Sequence, residues 1–349
     1  MRSVLPARLL ALTLAGAMAV ISCSSSSDGD TDAAADTRAG GDGAASAAFP
    51  VTIDHAFGET EIPEEPQRVV TWGWGSADAA IALGVVPVAI PFDDYAGDDE
   101  GVLPWIREAV ETGGGDLPEV LPNAEEPPFE AIATQRPDVI IAAYSGITED
   151  DYELLSDIAP TVAYPGEAWA TPWRDLIEIV GTSLGRTEQA GDVLAGIDAA
   201  VAEQAEAHPE LAGKSVAMVW DTPDSFYVYK AADPRVEFTL DLGMESAESV
   251  DTLSNGEETF YYSLSYEQLD RLDSDILVSF ADTQEVSDRF LASDHAQLLP
   301  QVAEGTVAEV VGTDFIASVS PPTALSLTWG LDEYVSILSA AAQAVDAQG

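Results

Sequence analysis

The side chains best suited to recognising a ligand in this sequence are aromatic, and they gather where β-strands are expected to end. They are Trp72 and Trp74, Phe92 and Tyr95, Tyr144, Trp169 and Trp173, Trp220, Phe226 and Tyr227, Phe260, Tyr261 and Tyr262. Ligands of open parallel sheets bind beyond the carboxyl ends of the strands. Aromatic faces displayed there suit a bulky, partly apolar ligand. The competing use of each ring is to pack beneath its own loop.

Motifs that would signal covalent or cofactor chemistry fail on inspection. Gly73-Trp74-Gly75 follows a strand and opens a helix, where a dinucleotide fingerprint would sit, but Asp78 occupies the third glycine position and would face a pyrophosphate. Gly213-Lys214-Ser215 copies the end of a phosphate loop, yet His208 stands where the upstream glycine is needed and the order is helix to strand. Gly181-Thr182-Ser183-Leu184-Gly185 spells Gly-x-Ser-x-Gly, but it lies within the helical pattern of 172–208 and not on a strand-to-helix turn, so it is no nucleophile elbow. His55, His208 and His295 are dispersed, without the converging carboxylates a bare metal carrier needs. The expectation is therefore no catalytic residues, no protein-held metal and no cofactor.

The elements that must position the rings alternate. Short β-rich runs at 51–53, 68–72, 86–90, 138–143 and 161–164 are separated by helical patterns at 78–83, 105–111, 129–135 and 149–158, which predicts βαβ units and a mainly parallel sheet. Between Pro172 and His208 the apolar residues Leu176, Ile177, Val180, Leu184, Val193, Leu194, Ile197 and Val201 recur at helical spacing, as one long helix or a pair. A second alternating section follows, with strands expected at 215–221, 226–229, 275–280 and 306–311. Its helices are expected near 236–242, 266–272, 286–292 and 324–344. The fold class read from this pattern is α/β: an N-terminal lobe over 49–171, an interlobe helix over 172–208 and a C-terminal lobe over 209–349.

Composition narrows the partners. Thirteen Lys plus Arg stand against 62 Asp plus Glu, a formal net charge of −49, and such a surface repels phosphate backbones, so nucleic-acid binding is excluded. Lys214 and Lys230 are the only lysines; the other basic residues are arginines, suited to forked recognition of anions. Residues 1–22 carry Arg2 and Arg8, no acid and an apolar run too short to span a bilayer, the pattern of a secretory signal. That run ends in Val20-Ile21-Ser22-Cys23, which resembles the bacterial lipoprotein signal and implies lipidation of Cys23, the only cysteine. From Ser24 to Ala48 the chain is Ser, Gly, Ala, Asp and Thr apart from Arg38, with no large apolar residue, so 23–48 reads as a flexible leash. The expected location is the outer face of the cytoplasmic membrane, with the membrane reached by the lipid alone.

Several segments, in this order, carry a family resemblance: Glu65-Pro66-Gln67-Arg68-Val69-Val70, AAIALGVV over 79–86, FEAIATQRPDVII over 129–141, DIAPTV over 157–162, GTSLGRTE over 181–188 and YEQLDRLDSDILV over 266–278. The chain resembles the iron-siderophore and cobalamin class of ABC-transporter substrate-binding proteins, over essentially everything after the leash. The resemblance implies two Rossmann-like lobes with mainly parallel sheets, joined by a single long helix. It also implies a ligand in the cleft, a monomer, and delivery to a permease dimer powered by its ATPase. It further implies docking through one glutamate per lobe, and Glu130 and Glu267 match those positions.

Within that resemblance Trp72, Trp74, Tyr95, Tyr144, Trp169, Trp173, Trp220, Tyr227, Tyr261 and Tyr262 become the candidate cleft lining, joined by Arg174, Lys230 and Arg235, with Arg107 as a further candidate cation. So few cations favour a neutral or cationic ferric hydroxamate, or a mixed-ligand chelate, over a trianionic catecholate. Cobalamin or haem capture within the same transporter class is the alternative ligand reading. An exported hydrolase or reductase using the cleft, and a surface adhesion or sensor protein, are the alternatives from other classes.

Overall fold

The structure is a computed structural model and describes residues 49–256 and 259–348. The signal over 1–22, Cys23 and the leash over 23–48 lie outside the described residues.

The chain opens with the antiparallel hairpin β1 (Val51–His55) and β2 (Gly58–Ile62). It continues through β3 (Val69–Gly73), α1 (Ser76–Ala82), β4 (Ala89–Ile90), α2 (Pro104–Thr112) and β5 (Glu119–Val120). Then come α3 (Phe129–Gln135), β6 (Val139–Tyr144), α4 (Glu149–Ser156) and β7 (Thr161–Ala163). Strands β3 to β7 form a five-stranded sheet in the order β5-β4-β3-β6-β7, parallel throughout. β6 is buried on both faces, which is why Val139-Ile140-Ile141-Ala142-Ala143 reads as an unbroken apolar run rather than an alternating one.

The connecting segment is two helices, α5 (Trp173–Ser183) and α6 (Thr187–Ala207), and not one continuous helix over 172–208. Gly185 makes the break: its φ of 67° ends α5 in the left-handed region, and a Cβ there would meet the Phe49 ring. α6 alone has 21 residues, roughly 30 Å at 1.5 Å per residue.

The second half contains β8 (Ser215–Asp221), β9 (Phe226–Tyr229), α7 (Pro234–Asp241), β10 (Glu245–Ser246), α8 (Glu248–Leu253), β11 (Tyr261–Ser263) and β12 (Ile276–Ala281). It ends with α9 (Gln284–Leu291), α10 (Pro300–Glu304), β13 (Val307–Val311), α11 (Thr313–Val319) and α12 (Ser326–Asp346). The sheet order is β11-β9-β8-β12-β13, with β10 beside the start of β8. β8, β12 and β13 are parallel, whereas β9 runs antiparallel to β8, because the two join through the tight turn at Thr222–Ser225 instead of a crossover helix, and β11 pairs antiparallel with β9 and so regains the direction of β8. The helix expected near 266–272 is a 3₁₀ turn over Tyr266–Arg271.

One apolar cluster runs from Val139 and Ile141 of the first sheet, through Ile177, Val180 and Ile197 of the connecting helices, to Met218, Val278 and Leu338 of the second half. Separate clusters lie on the other face of each sheet, around Val70, Ile140 and Leu155 in the first and Val219, Val228 and Leu277 in the second. Each sheet is thus covered on both faces, the architecture of a doubly wound lobe.

Candidate ligand-binding cleft

The first lobe contributes rings from the carboxyl ends of β3 and β6. Gly73 ends β3 with a φ of 85°, and a side chain there would collide with the Tyr144 carbonyl. That carbonyl accepts the Trp74 N–H at 2.9 Å. Gly-Trp-Gly is therefore a close-approach turn that presents Trp74, whose indole N–H donates to the Pro321 carbonyl at 3.2 Å, in the connection between α11 and α12. Tyr144, the last residue of β6, meets Trp169 edge-on at 5.9 Å. Trp169 is 57% exposed, and its indole rests on Gly146, so no larger residue fits there. Its φ of 59° is rare for a bulky side chain and carries strain of about 1–3 kcal/mol, an outlier of the kind concentrated at binding sites.

The second lobe contributes a face selected by strand alternation. Tyr229 on β9 registers with Tyr261 on β11, and Tyr227 meets Tyr261 at 5.6 Å. Trp220 on β8 lies 5.9 Å from Phe280 on β12, and Tyr229 meets Phe280 edge-on at 6.2 Å. Arg235, in the first turn of α7, holds its guanidinium carbon 3.9 Å from the Tyr229 ring centroid. Its Nε donates to Asp233 Oδ1 at 2.7 Å, and Asp233 also caps α7 by accepting the Arg235 N–H at 3.0 Å. Arg235 Nη1 is buried and has no hydrogen-bond partner among the described residues. A buried donor left unmatched costs about 1–3 kcal/mol, more when charged, so Nη1 would gain from an acceptor that the described residues do not supply. Burial pushes the Asp233 carboxyl up, and the adjacent guanidinium opposes that rise.

The two sets meet. Tyr95, beyond β4, donates its hydroxyl to Asp282 Oδ1, beyond β12, at 2.8 Å. Burial pushes the Tyr95 hydroxyl up, as does Asp282, while Arg235 pulls it down. Burial also raises Tyr144, whose hydroxyl feels the charges of Asp233 and Arg235. Tyr95 and Tyr144 of the first lobe thus lie within electrostatic reach of Arg235 of the second. On the first-lobe side, a cavity of about 340 Å³ opens along Trp72, Trp74, Phe92 and Trp169. Behind Trp74, the buried Asp78 accepts Trp105 Nε1 at 2.6 Å and the Thr323 hydroxyl, a second tie between the first lobe and the α11–α12 connection.

Other sequence candidates fall elsewhere. Tyr262 is 0% exposed and packs with Val219, Phe226 and Val228 on the opposite face of the sheet from Tyr261. Successive strand residues point to opposite faces, so Tyr261 and Tyr262 cannot both line the cleft, and Tyr262 is a core residue. Trp173 is buried in the shared core, another correction, because the first turn of α5 packs inward. Arg174 stacks over Trp173 at 4.1 Å and pairs with Asp198 and Asp241 at 3.0 and 3.1 Å, tying α5 to α6 and α7 instead of facing a ligand. Arg107 is held by Asp98 and Glu100. Lys230 is half-buried just after β9, its N–H on the Phe260 carbonyl at 2.8 Å. Trp72 is largely buried but forms part of the cavity wall. Glu130 is exposed at the start of α3, and Glu267 is exposed in the 3₁₀ turn.

Sequence reasoning missed Tyr229, Phe280, Asp233 and Asp282. Tyr229 was within reach, since period-two counting from Tyr227 along Phe226-Tyr227-Val228-Tyr229 names it. A larger cavity, about 710 Å³, lies at the opposite end of the second sheet, among Glu245, Asp273, Asp275 and Arg271. No aromatic ring lines it among the described residues, so it lacks the apolar surface a bulky ligand would bury.

The family described as periplasmic binding protein matches residues 69–311, most of both lobes. The chain belongs to that family. The probable siderophore-binding lipoprotein YfiY of Bacillus subtilis (strain 168) is 28% identical over 241 residues, 66% of this chain and 68% of that protein. Among solved structures, Streptococcus pneumoniae TIGR4 PiaA in complex with ferrichrome superposes with a TM-score of 0.75 at 33% identity, covering 84% of this chain and 99% of that one. A periplasmic solute-binding protein from Mycobacterium smegmatis str. MC2 155 gives a TM-score of 0.72 at 26% identity, over 84% and 98% of the two chains. As a member of this family the chain is a two-lobe binding protein.

Proposed function

We propose that this periplasmic binding protein is the substrate-binding component of an ABC importer. It captures a ferric siderophore between its lobes and delivers the intact chelate to a permease dimer driven by a cytoplasmic ATPase. It works as a monomer, held by a lipid on Cys23 at the outer face of the cytoplasmic membrane, with Glu130 and Glu267 as the exposed carboxylates that dock. The cleft binds without turnover, and no cofactor takes part.

The observation that carries this reading is Arg235: one half-buried guanidinium beside the rings of Tyr229 and Phe280, whose buried Nη1 has no acceptor among the described residues. The oxygens of a metal chelate supply such an acceptor, and the rings cover its organic scaffold. Arg235 is already matched by Asp233, and Arg174 and Arg107 are held by other carboxylates. That balance favours a neutral or cationic ferric hydroxamate over a trianionic catecholate complex, whose charge the cleft would leave uncompensated.

Tryptophan quenching titrations with a ferric trihydroxamate and a ferric triscatecholate test this. Submicromolar binding of the hydroxamate with weak or no binding of the catecholate is the expected result. Preference for the trianion would overturn the ligand class. Purification of the full chain from iron-starved cells should also yield a coloured, iron-containing chelate of intact mass.

A further inference from the structure

The end of β8 serves two sites at once. The strand finishes in Trp220-Asp221, and successive strand residues point to opposite faces. Trp220 meets Phe280 on the cleft face, whereas Asp221 turns to the other face, where its Oδ1 accepts the Tyr266 hydroxyl at 2.8 Å. Tyr266 is the residue before Glu267. Its ring lies 6.2 Å from Phe226 and 4.3 Å from His295, and His295 Nε2 stands 3.8 Å from Asp221 Oδ2. Partial burial, then the Asp221 carboxylate, push the Tyr266 hydroxyl up to about 12, so it remains a donor at neutral pH. The turn that carries Glu267 has little of its own to hold it. It is a 3₁₀ turn of six residues, with poorer backbone hydrogen-bond geometry than an α-helix, and Ser265 before it makes no side-chain cap. Leu269 is buried in the core, but Ser265, Tyr266, Glu267 and Gln268 are exposed. Among the described residues, the bond from Tyr266 to Asp221 is the side-chain hydrogen bond that ties this turn to the sheet. The first lobe differs: Glu130 opens an α-helix whose far end is fixed by Arg68, just before β3, through its bond to the Gln135 carbonyl at 2.9 Å.

We propose, on the reading of Glu267 as a docking carboxylate given above, that Tyr266 and Asp221 are positioning residues for docking. Their hydrogen bond sets Glu267 at a fixed place relative to the strand end that carries Trp220 to the ligand. Without it the exposed start of the turn samples several placements, and only a fraction of them presents the carboxylate to the permease. Apparent docking affinity then falls by that fraction, while transport from the docked complex keeps its rate. Capture of the chelate is untouched, because Tyr266 and Asp221 lie on the face of the sheet away from Trp220 and Phe280.

The test is iron uptake in cells whose own copy of the chain is replaced by full-length variants at graded expression. The probe is spent medium from iron-starved cultures, labelled with radioactive ferric iron. Tyr266→Phe removes the hydroxyl and keeps the ring on Phe226 and His295. It should raise the amount of chain needed for half-maximal uptake by about three- to tenfold, with the maximal rate and the labelled iron retained by the purified chain unchanged. Asp221→Ala should do the same, and the double variant should be no worse than either single one, because both remove one shared bond. Asp221→Asn, which keeps an oxygen acceptor, should return uptake to near the wild-type level. Wild-type half-saturation in Tyr266→Phe, additive losses in the double variant, or reduced iron retention by purified Tyr266→Phe would overturn the positioning role. Glu267→Arg separates this from the docking reading. Impaired uptake in Glu267→Arg beside normal uptake in Tyr266→Phe removes the positioning role alone, whereas normal uptake in Glu267→Arg removes docking through this turn and the positioning role with it.

Discussion

The hydroxyl of Tyr95 donates to Asp282 Oδ1 at 2.8 Å, so a loop of the first lobe is hydrogen-bonded directly to a loop of the second at the cleft. The contact is neutral to charged and partly exposed, and removing the hydroxyl leaves no buried group stranded. Tyr95→Phe should weaken chelate affinity by about three- to tenfold, in line with about 0.5–1.5 kcal/mol for such a bond, and should broaden the lobe separation seen by small-angle scattering. An unchanged affinity and scattering profile would show that the bond does not help to hold the lobes.

Arg235 is expected to dominate ligand affinity. Arg235→Lys keeps the charge beside Asp233 but loses the planar fork and the stacking on Tyr229. Affinity should fall by about tenfold or more with the circular dichroism spectrum unchanged, consistent with about 1.5–3 kcal/mol for a hydrogen bond to a charged group. Wild-type affinity in this variant would mean that Nη1 faces no ligand.

Asp78 should make stability depend on pH. Burial pushes its carboxyl up from 3.8 to about 6, against the lowering effect of the bonds from Thr323 and Trp105, with Asp93 as a further raising charge. The folded chain therefore holds this proton more tightly than the unfolded chain does. The contribution of Asp78 to stability is full below pH 4, falls as pH rises through 4 to 6, and is lost above that. Asp78→Asn keeps an oxygen acceptor and removes the buried charge. It should match wild type at pH 4 and exceed it at pH 7.5, by on the order of 3 kcal/mol in urea unfolding. A wild-type advantage at pH 7.5 would reverse the sign argued here.

Glu210 acts in the opposite direction. Hydrogen bonds from Ser339, from its own backbone and from His208 pull its carboxyl down from 4.5 to about 2. Its contribution is present above pH 4.5 and disappears as pH falls through 2. Glu210→Gln, at the junction of α6 with α12, should lower the thermal midpoint at pH 7 and converge with wild type under strongly acidic conditions, as followed by scanning calorimetry.

Charge reversal at Glu130 and Glu267 together should abolish chelate uptake in cells while affinity of the purified protein stays the same. Both residues are exposed and each lies in the first turn of a short helix, so the folding penalty is a helix-end charge term of about 0.3–1 kcal/mol each. Normal uptake by the double variant would remove these residues from the docking surface.

Local pattern carries a large part of this protein. The alternation of β-rich and helical runs, the unbroken apolar reading of Val139–Ala143 and the rings at strand ends are written in neighbouring residues, and they determine doubly wound α/β lobes with aromatic side chains at the ligand-binding edge. The net charge of −49 likewise needs no structure to exclude nucleic acid. Tertiary structure decided which face and which partner. The antiparallel register of β9 and β11 put Tyr261 with Tyr229 and sent Tyr262 into the core. Asp198 and Asp241, distant in sequence, claimed Arg174, whereas Arg235 kept an open donor. Periodicity is a property of adjacent residues and can be counted along the chain. Strand register and charge pairing join segments tens to hundreds of residues apart, as Asp78 and Thr323 are, and only packing brings them together.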